Sequence, residues 1–189
     1  MNIENFDPII YSFKEIFEKQ KEIKFLYEPE SKDIFENFDI DTFEDQEIFK
    51  KYCWRITEEL MEALEDISNK KHFREEIIDS FNFMIELYLL CGYSYELLGH
   101  IPTRNKIEVK GDPIANIIYQ LGITANLLKN RQWRQSQYLV DMHLFTPRFE
   151  KIWECFFDLF YSIDLSNDEI RALWSLKYQV NLFRINSNY

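Results

Sequence analysis

Two neighbouring segments of this chain decide its fold: WRITEELMEALEDI, residues 54–67, and HFREEIIDSFNFMIEL, residues 72–87. In each segment apolar residues recur every three or four positions, which is the period of one helix face. These apolar stripes comprise Leu60, Leu64 and Ile67 in the first segment and Phe73, Ile77, Phe81, Met84 and Tyr88 in the second. The short polar sequence between them suits a tight connection. We therefore predict helices over residues 46–69 and 72–91 that pack antiparallel through their stripes.

A pair of acidic residues lies beside the apolar stripe of each predicted helix. Glu59 and Glu62 form the first pair, and Glu76 and Asp79 form the second, each spaced so that both carboxylates share a helix face. Antiparallel packing brings the four carboxylates together along one edge, where they repel one another unless a cation lies between them. Oxygen ligands suit Mg²⁺, which usually keeps positions for water and substrate phosphates. The spacing therefore predicts a Mg²⁺ site, with Mn²⁺ as a substitute.

An ordinary solvated surface is the alternative interpretation of these acids. Glutamate is a good helix former, and a single ExxE spacing is common on exposed helices. Glu58, Glu65 and Glu75 point away from the stripes and fit that role. Two acidic pairs in the same register, on consecutive helices, are much rarer by chance, and this match favours the metal site.

The composition favours a single all-α domain over residues 1–189. Four glycines and five prolines in 189 residues are too few for many short strands and turns. We predict a helical bundle. The two acidic helices follow a first helix over 7–24 and an acidic connection over 26–45. After them come an irregular segment over 99–113, a helix over 113–131, a helix beginning at Pro147, and a last helix capped by Ser166 and Glu169.

Charge and cysteine usage bear on partners and location. The net charge of −11 argues against nucleic-acid binding, although a metal ion can still provide positive charge for a nucleotide. The three cysteines are isolated, as expected in a reducing compartment. The N-terminus lacks the pattern of a signal peptide, and the longest apolar run is too short to cross a bilayer. We expect a cytoplasmic protein with no membrane association.

The predicted helix over residues 148–163 is apolar on nearly every side. Trp153, Phe156, Phe157 and Phe160 are too many large side chains for one thin core face. The helix is therefore either the centre of the bundle or a surface buried against a second subunit.

A second polar constellation lies near the end of the chain. Lys177, Asn181 and Arg184 are spaced i, i+4 and i+7 and share one helical face. Taken alone, this pattern is typical of a solvated face. In an acidic chain, however, two cations around an amide offer contacts for phosphate and sugar.

The three motifs together resemble the dimeric, all-α dUTPases, which belong to the all-α NTP pyrophosphatase superfamily with the MazG-like enzymes and the phage dCTPase–dUTPases. The resemblance rests on the ExxE helix, the ExxD helix and the closing K-x3-N-x2-R-x4-Y, and it covers residues 50–91 and 165–189. It implies Mg²⁺-dependent hydrolysis of a nucleoside triphosphate to the monophosphate and pyrophosphate. The implied metal ligands are Glu59, Glu62, Glu76 and Asp79, and the implied substrate contacts are Lys177, Asn181, Arg184 and Tyr189. It also implies a homodimer, for which we predict an interface at the aromatic helix around Trp153 and Phe157.

The base contacts are less well defined by the motifs. Asn82 stands where the family often has histidine, and its amide suits uracil or cytosine because it offers both a donor and an acceptor. Trp54 is a candidate for stacking on the base, with core packing as the alternative. Gln20 is a further candidate for a base contact. Either Glu59 or Glu62 is predicted to accept the proton of the attacking water. We expect dUTP as the first substrate and dCTP as the second.

Three other classes of protein are alternatives to this hypothesis. A di-iron carboxylate bundle needs Glu-x-x-His pairs, and none of the three histidines lies three residues after a glutamate. An acidic interaction protein without enzymatic activity fits the net charge but does not account for the matched registers. A MazG-like enzyme with a broader base range stays open.

Overall fold

Helices form nearly all the regular structure in the computed structural model, which describes residues 9–98, 100–102, 111–133 and 135–187. In these residues the helices are α1 (Phe13–Tyr27), α2 (Ser31–Asn37), α3 (Phe43–Glu65), α4 (Lys70–Leu90), α5 (Tyr95–Leu98), α6 (Pro113–Ala125), α7 (Met142–Ser162) and α8 (Asn167–Asn186). The same residues contain no strand. The predicted all-α fold is confirmed.

Helices α3 and α4 pack antiparallel and form the most extensive contact between any two helices of the described chain. The Ser80 hydroxyl of α4 donates to the Ile56 carbonyl of α3 over 3.1 Å. Towards the connecting turn, His72 Nδ1 of α4 lies 3.0 Å from Asp66 Oδ2, directly after α3. Residue numbers therefore rise along one helix as they fall along the other. Both helices bury an apolar stripe, whose fully buried side chains are Ile56, Leu60 and Ala63 in α3 and Ile77, Phe81 and Met84 in α4.

Polar side chains set the N-terminal ends of α1 and α3. Ser12 and Glu15 form a capping box that starts α1 at Phe13, six residues later than residue 7. Thr42 accepts from the Asp45 amide and starts α3 at Phe43, three residues earlier than predicted. Because α3 ends at Glu65, Ile67 lies in the turn before α4 and is 62 % exposed. The assignment of Ile67 to the apolar stripe was therefore wrong.

The aromatic helix α7 begins at Met142 rather than at Pro147, which lies inside it. Asp141 caps the helix by accepting from the His143 amide over 3.0 Å. A proline at this position removes one helical hydrogen bond. Burial of Phe145 against the Phe49 ring, 5.6 Å away, favours extending the helix by more than one turn before the proline. The Asp141 cap was the sequence signal for this earlier start.

The aromatic face of α7 is buried within one chain. Trp153 is 2 % exposed and Phe157 is fully buried. The Trp153 ring stacks on Phe81 at 5.8 Å, and its Nε1 donates to the His100 carbonyl over 3.1 Å. The predicted location of a dimer interface at Trp153 and Phe157 was therefore wrong, and α7 is the central helix of the bundle. A homodimer as such stays a prediction.

A helix that crosses a membrane must be both long and apolar. None of the helices in residues 9–98, 111–133 and 135–187 combines the length and the apolar composition that crossing a bilayer requires.

Replacement of Trp153 by alanine tests the core. We expect Trp153→Ala to lower the free energy of unfolding by about 3–5 kcal/mol, because the substitution leaves a cavity among α1, α4 and α7. The matched control is Trp133→Ala, whose side chain is 79 % exposed and whose loss should cost less than about 0.5 kcal/mol. Urea denaturation at two protein concentrations measures both values. Similar losses in the two variants would contradict the core position of Trp153.

Candidate active site

A cavity of about 550 Å³ lies between α1, α3, α4 and α8. Most of the site residues proposed from the sequence line it: Gln20 from α1, Glu59 from α3, Asp79 and Asn82 from α4, and Lys177, Asn181 and Arg184 from α8. The two acidic motifs and the C-terminal motif, which are far apart in sequence, thus face one space.

Three carboxylates cluster at the edge of this cavity. Oxygen atoms of Glu59, Glu62 and Glu76 lie within 4.8 Å of one another. Glu59 and Glu76 are nearly buried, whereas Glu62 is exposed. Bonds from Mg²⁺ to oxygen are about 2.1 Å long, so oxygens on opposite sides of one ion lie about 4.2 Å apart. Small side-chain movements therefore suffice for these three groups to hold a divalent cation, and the exposed side leaves room for water and phosphate.

The fourth acid of the motif, Asp79, lies against a cation from α8. Lys177 Nζ donates to Asp79 Oδ2 over 2.5 Å. Burial raises the pKa of Asp79, and the bond to Lys177 opposes that increase. The contact links the second acidic helix directly to the C-terminal motif. Asp79 faces the cavity beside the cluster of three glutamates.

Burial and negative charge strongly perturb Glu59. Burial is the first cause that raises the pKa of Glu59 to about 7, and the charges of Asp79 and Glu62 raise it further. Arg55 opposes this increase, because its Nη2 donates to Glu59 Oε1 over 3.2 Å. Glu59 therefore stays protonated to a higher pH than an ordinary carboxyl group does.

Each of three acidic residues at the site contacts a basic side chain of the chain itself. Glu59 is paired with Arg55 and Asp79 with Lys177. Glu76 Oε1 lies 3.2 Å from His72 Nε2, a pair that is ionic when the imidazole is protonated. These contacts offset part of the repulsion that the converging carboxylates create.

A buried charged pair, which the sequence analysis missed, lines the cavity on the side of α1. Glu86, 6 % exposed, accepts from Gln20 Nε2 over 2.8 Å, and Lys24 Nζ lies 3.3 Å from its other carboxylate oxygen. Burial raises the pKa of Glu86, whereas Lys24, Gln20 and Tyr52 lower it. A single glutamate within the apolar run of α4 was the available signal. Lys24 lies 62 residues upstream, so no local pattern identified it.

Asn82 presents an unused acceptor at the cavity. Its Oδ1 is buried and accepts no hydrogen bond from the described residues. Its Nδ2 has a long contact of 3.5 Å to Asp79 Oδ1. A buried amide oxygen without a donor is costly unless a ligand or water supplies one. The position therefore suits a polar group of a bound molecule.

One of the proposed substrate contacts, Trp54, does not take part in this arrangement. Trp54 is 62 % exposed and is not among the described residues that line the cavity. Base stacking by Trp54 is thus unsupported, and its core packing, the alternative, was wrong. The buried stripe of α3 runs through Phe49, Cys53 and Ile56, and Trp54 lies off that stripe. Tyr189 lies outside the described residues.

Comparison with known proteins identifies the family. A sequence model of a dUTPase family matches residues 12–189. No curated protein and no solved structure matches the chain. The match extends from the residue that caps α1 to the end of the chain, so it includes every helix that lines the cavity. The protein therefore belongs to the all-α dUTPase family.

Proposed function

We propose that this protein is a divalent-metal-dependent pyrophosphohydrolase that converts dUTP to dUMP and pyrophosphate. One observation carries the proposal: the cluster of Glu59, Glu62 and Glu76 adjoins a cavity that also presents Lys177 and Arg184. Carboxylates for a metal ion and cations for phosphate oxygens meet at one place in a chain of net charge −11. An acidic interaction surface has no need of such a combination.

The chemistry follows from the charge of the substrate. A bound Mg²⁺ ion would neutralise part of the triphosphate charge and orient the attacking water. Glu59, Glu62, Glu76 and Asp79 are the residues proposed to hold it. Glu59 or Glu62 accepts the proton of the water as general base. Lys177 and Arg184 offset the charge that develops on the phosphates in the transition state.

The amides of Asn82 and Gln20 are proposed to contact the base. The free Asn82 oxygen suits a donor such as the N3–H of uracil, and rotation of the amide lets it serve cytosine as well. We therefore propose dUTP as the preferred substrate and dCTP as the second. Asn181 is proposed to contact the sugar or the phosphates, and Tyr189 to close over the sugar or base. The broader base range of a MazG-like enzyme is the alternative.

A panel of nucleotides tests the proposed reaction. We expect pyrophosphate release from dUTP with Mg²⁺ or Mn²⁺, weaker release from dCTP, and none with EDTA. Chromatography of the nucleotide product identifies dUMP, because the cleaved bond lies between the α and β phosphates. Release of orthophosphate, or inertness towards every nucleoside triphosphate, would refute the proposal. Equal rates for purine and pyrimidine substrates would favour the MazG-like alternative.

A pair of substitutions on one helix tests the proposed ligands. We expect Glu62→Gln to lower kcat/KM by more than the roughly 10- to 100-fold that loss of an outer-shell partner costs. The control is Glu65→Gln, one turn further along α3 and also exposed, which removes the same charge outside the cluster. Steady-state kinetics with dUTP measures both. Matching losses would mean that general charge, rather than position in the cluster, determines the rate.

Metal binding should stabilise the folded protein without any nucleotide. At a Mn²⁺ concentration of 100 times Kd, linkage predicts a gain of about 2.7 kcal/mol, visible as an increase in Tm. Glu59→Gln should abolish this increase, because a neutral amide is a poorer ligand. It should also raise the Tm of the metal-free protein, since it relieves repulsion at the cluster. A Mn²⁺-dependent increase that persists in Glu59→Gln would place the metal elsewhere.

A further inference from the structure

Arg55 occupies a distinctive position between the acidic cluster and the cavity. It lies one turn before Glu59 on α3, and its guanidinium is 4.9 Å from the centre of the Phe83 ring. Its Nη1 donates to Glu58 over 2.8 Å, and its Nη2 donates to Glu59 over 3.2 Å. Arg55 and Phe83 both line the cavity. The guanidinium thus bridges an ordinary surface acid and a carboxylate of the cluster.

The contact with Glu59 competes with metal binding. An oxygen of Glu59 that ligates a divalent cation has fewer lone pairs and less charge to offer Arg55. A cation in the cluster therefore weakens the hydrogen bond that Arg55 Nη2 donates to Glu59. The contact with Phe83 does not depend on Glu59 and keeps the guanidinium plane at the wall of the cavity. Lys177 of α8 likewise pairs with Asp79, another proposed metal ligand.

The chemistry of the released group matches that of a phosphate chain. A guanidinium presents paired N–H donors in a fixed plane, a geometry that fits two phosphate oxygens. Lys177 and Arg184 line the cavity from α8, whereas Arg55 lines it from α3. A triphosphate in the cavity would therefore meet cations from two different helices.

We propose that Arg55 is a further substrate-binding residue, which gives up Glu59 when a divalent cation occupies the cluster and then binds the triphosphate. This inference rests on the proposed nucleotide pyrophosphohydrolase function. Arg55 competes with metal at Glu59 in the nucleotide-free protein and contributes to nucleotide affinity once metal is present. A residue that serves only to pair with Glu58 has neither effect, because an exposed pair of this kind contributes little.

Three variants separate these roles: Arg55→Ala, Arg55→Lys and the control Lys51→Ala. Lys51 is exposed, lies one turn before Arg55 on α3 and does not line the 550 Å³ cavity. It borders only a neighbouring cavity of about 310 Å³, on the other side of Arg55 and Phe83 from the proposed metal site. Its removal changes the net charge by the same amount. Arg55→Lys keeps the charge but loses the planar pair of donors.

Two binding measurements and one stability measurement read out the variants. Mn²⁺ affinity without nucleotide is measured by electron paramagnetic resonance. Affinity for a dUTP analogue with an imido group between the α and β phosphates is measured by calorimetry with Mg²⁺. The Tm of each variant reports any loss of structure.

The two affinities should change in opposite directions in Arg55→Ala. We expect tighter Mn²⁺ binding than in Lys51→Ala, and analogue binding weakened by roughly 10- to 100-fold, the loss of about one charge-assisted hydrogen bond. Arg55→Lys should recover only part of the analogue affinity.

The outcomes distinguish the inference from the function on which it rests. Wild-type protein that binds neither Mn²⁺ nor the analogue, and hydrolyses no nucleotide, would refute the proposed function itself. If the wild type binds both while Arg55→Ala behaves like Lys51→Ala, the role of Arg55 alone is refuted. A lower Tm in Arg55→Ala with both affinities unchanged would likewise assign Arg55 a purely structural role.

Discussion

The register between α3 and α4 is the constraint on which the rest of this structure depends. Side chains on a helix advance by about 100° per residue, so rotating either helix by one position would turn its acids away from the shared edge. Rotation would expose buried side chains such as Leu60 and Phe81 and break the hydrogen bond from Ser80 to the Ile56 carbonyl, so it is unfavourable. The apolar stripe therefore does more than stabilise the fold, because it positions Glu59, Glu62 and Glu76.

That arrangement is electrostatically unfavourable by itself, and the chain compensates for it locally. Burial and neighbouring acids raise the pKa of Glu59, which shows how unfavourable its negative charge is at this position. Arg55, His72 and Lys177 each contact one acid of the site. These contacts stabilise the carboxylates without filling the space between them. A divalent cation can therefore replace several weak, partly exposed pairs with direct coordination.

The sequence predicted those parts of the molecule that depend on local periodicity. The two stripes, the acidic pairs and the polar face of α8 all follow from spacing along a helix, and the antiparallel packing follows from the short turn at Asn69. The predicted start of α7 at Pro147 was wrong. Proline favours the first turn of a helix, but the burial of Phe145 in a helical conformation stabilises an earlier start. The exposed position of Trp54 was missed because composition alone does not specify which side of a helix an aromatic residue faces.

Local patterns in the sequence could not identify groups that meet only in the tertiary fold. The contacts of Glu86 with Gln20 and Lys24 join residues 66 and 62 positions apart, and no spacing rule relates α1 to α4. Arg55 was present in the quoted segment, but its importance depends on Phe83, which reaches it only through the α3–α4 contact. Residues with an obvious local pattern were thus found, whereas Lys24, Arg55 and Glu86, whose roles depend on contacts with another helix, were not.

The distribution of charge around the cavity would make the binding of a polyanion depend on the binding of a metal ion. The net charge of the molecule is −11, which repels a triphosphate, and the cations that line the cavity among the described residues are Lys24, Arg55, Lys177 and Arg184. Three of them pair with carboxylates of the site: Lys24 with Glu86, Arg55 with Glu59 and Lys177 with Asp79. In the proposed mechanism, a metal ion at the acidic cluster would add positive charge and would also weaken the hydrogen bond between Arg55 and Glu59. The first effect would attract the phosphates, and the second would supply a donor for them. The attraction for a nucleotide would therefore increase by more than the charge of the ion, because Glu59, a proposed metal ligand, otherwise neutralises a cation of the cavity.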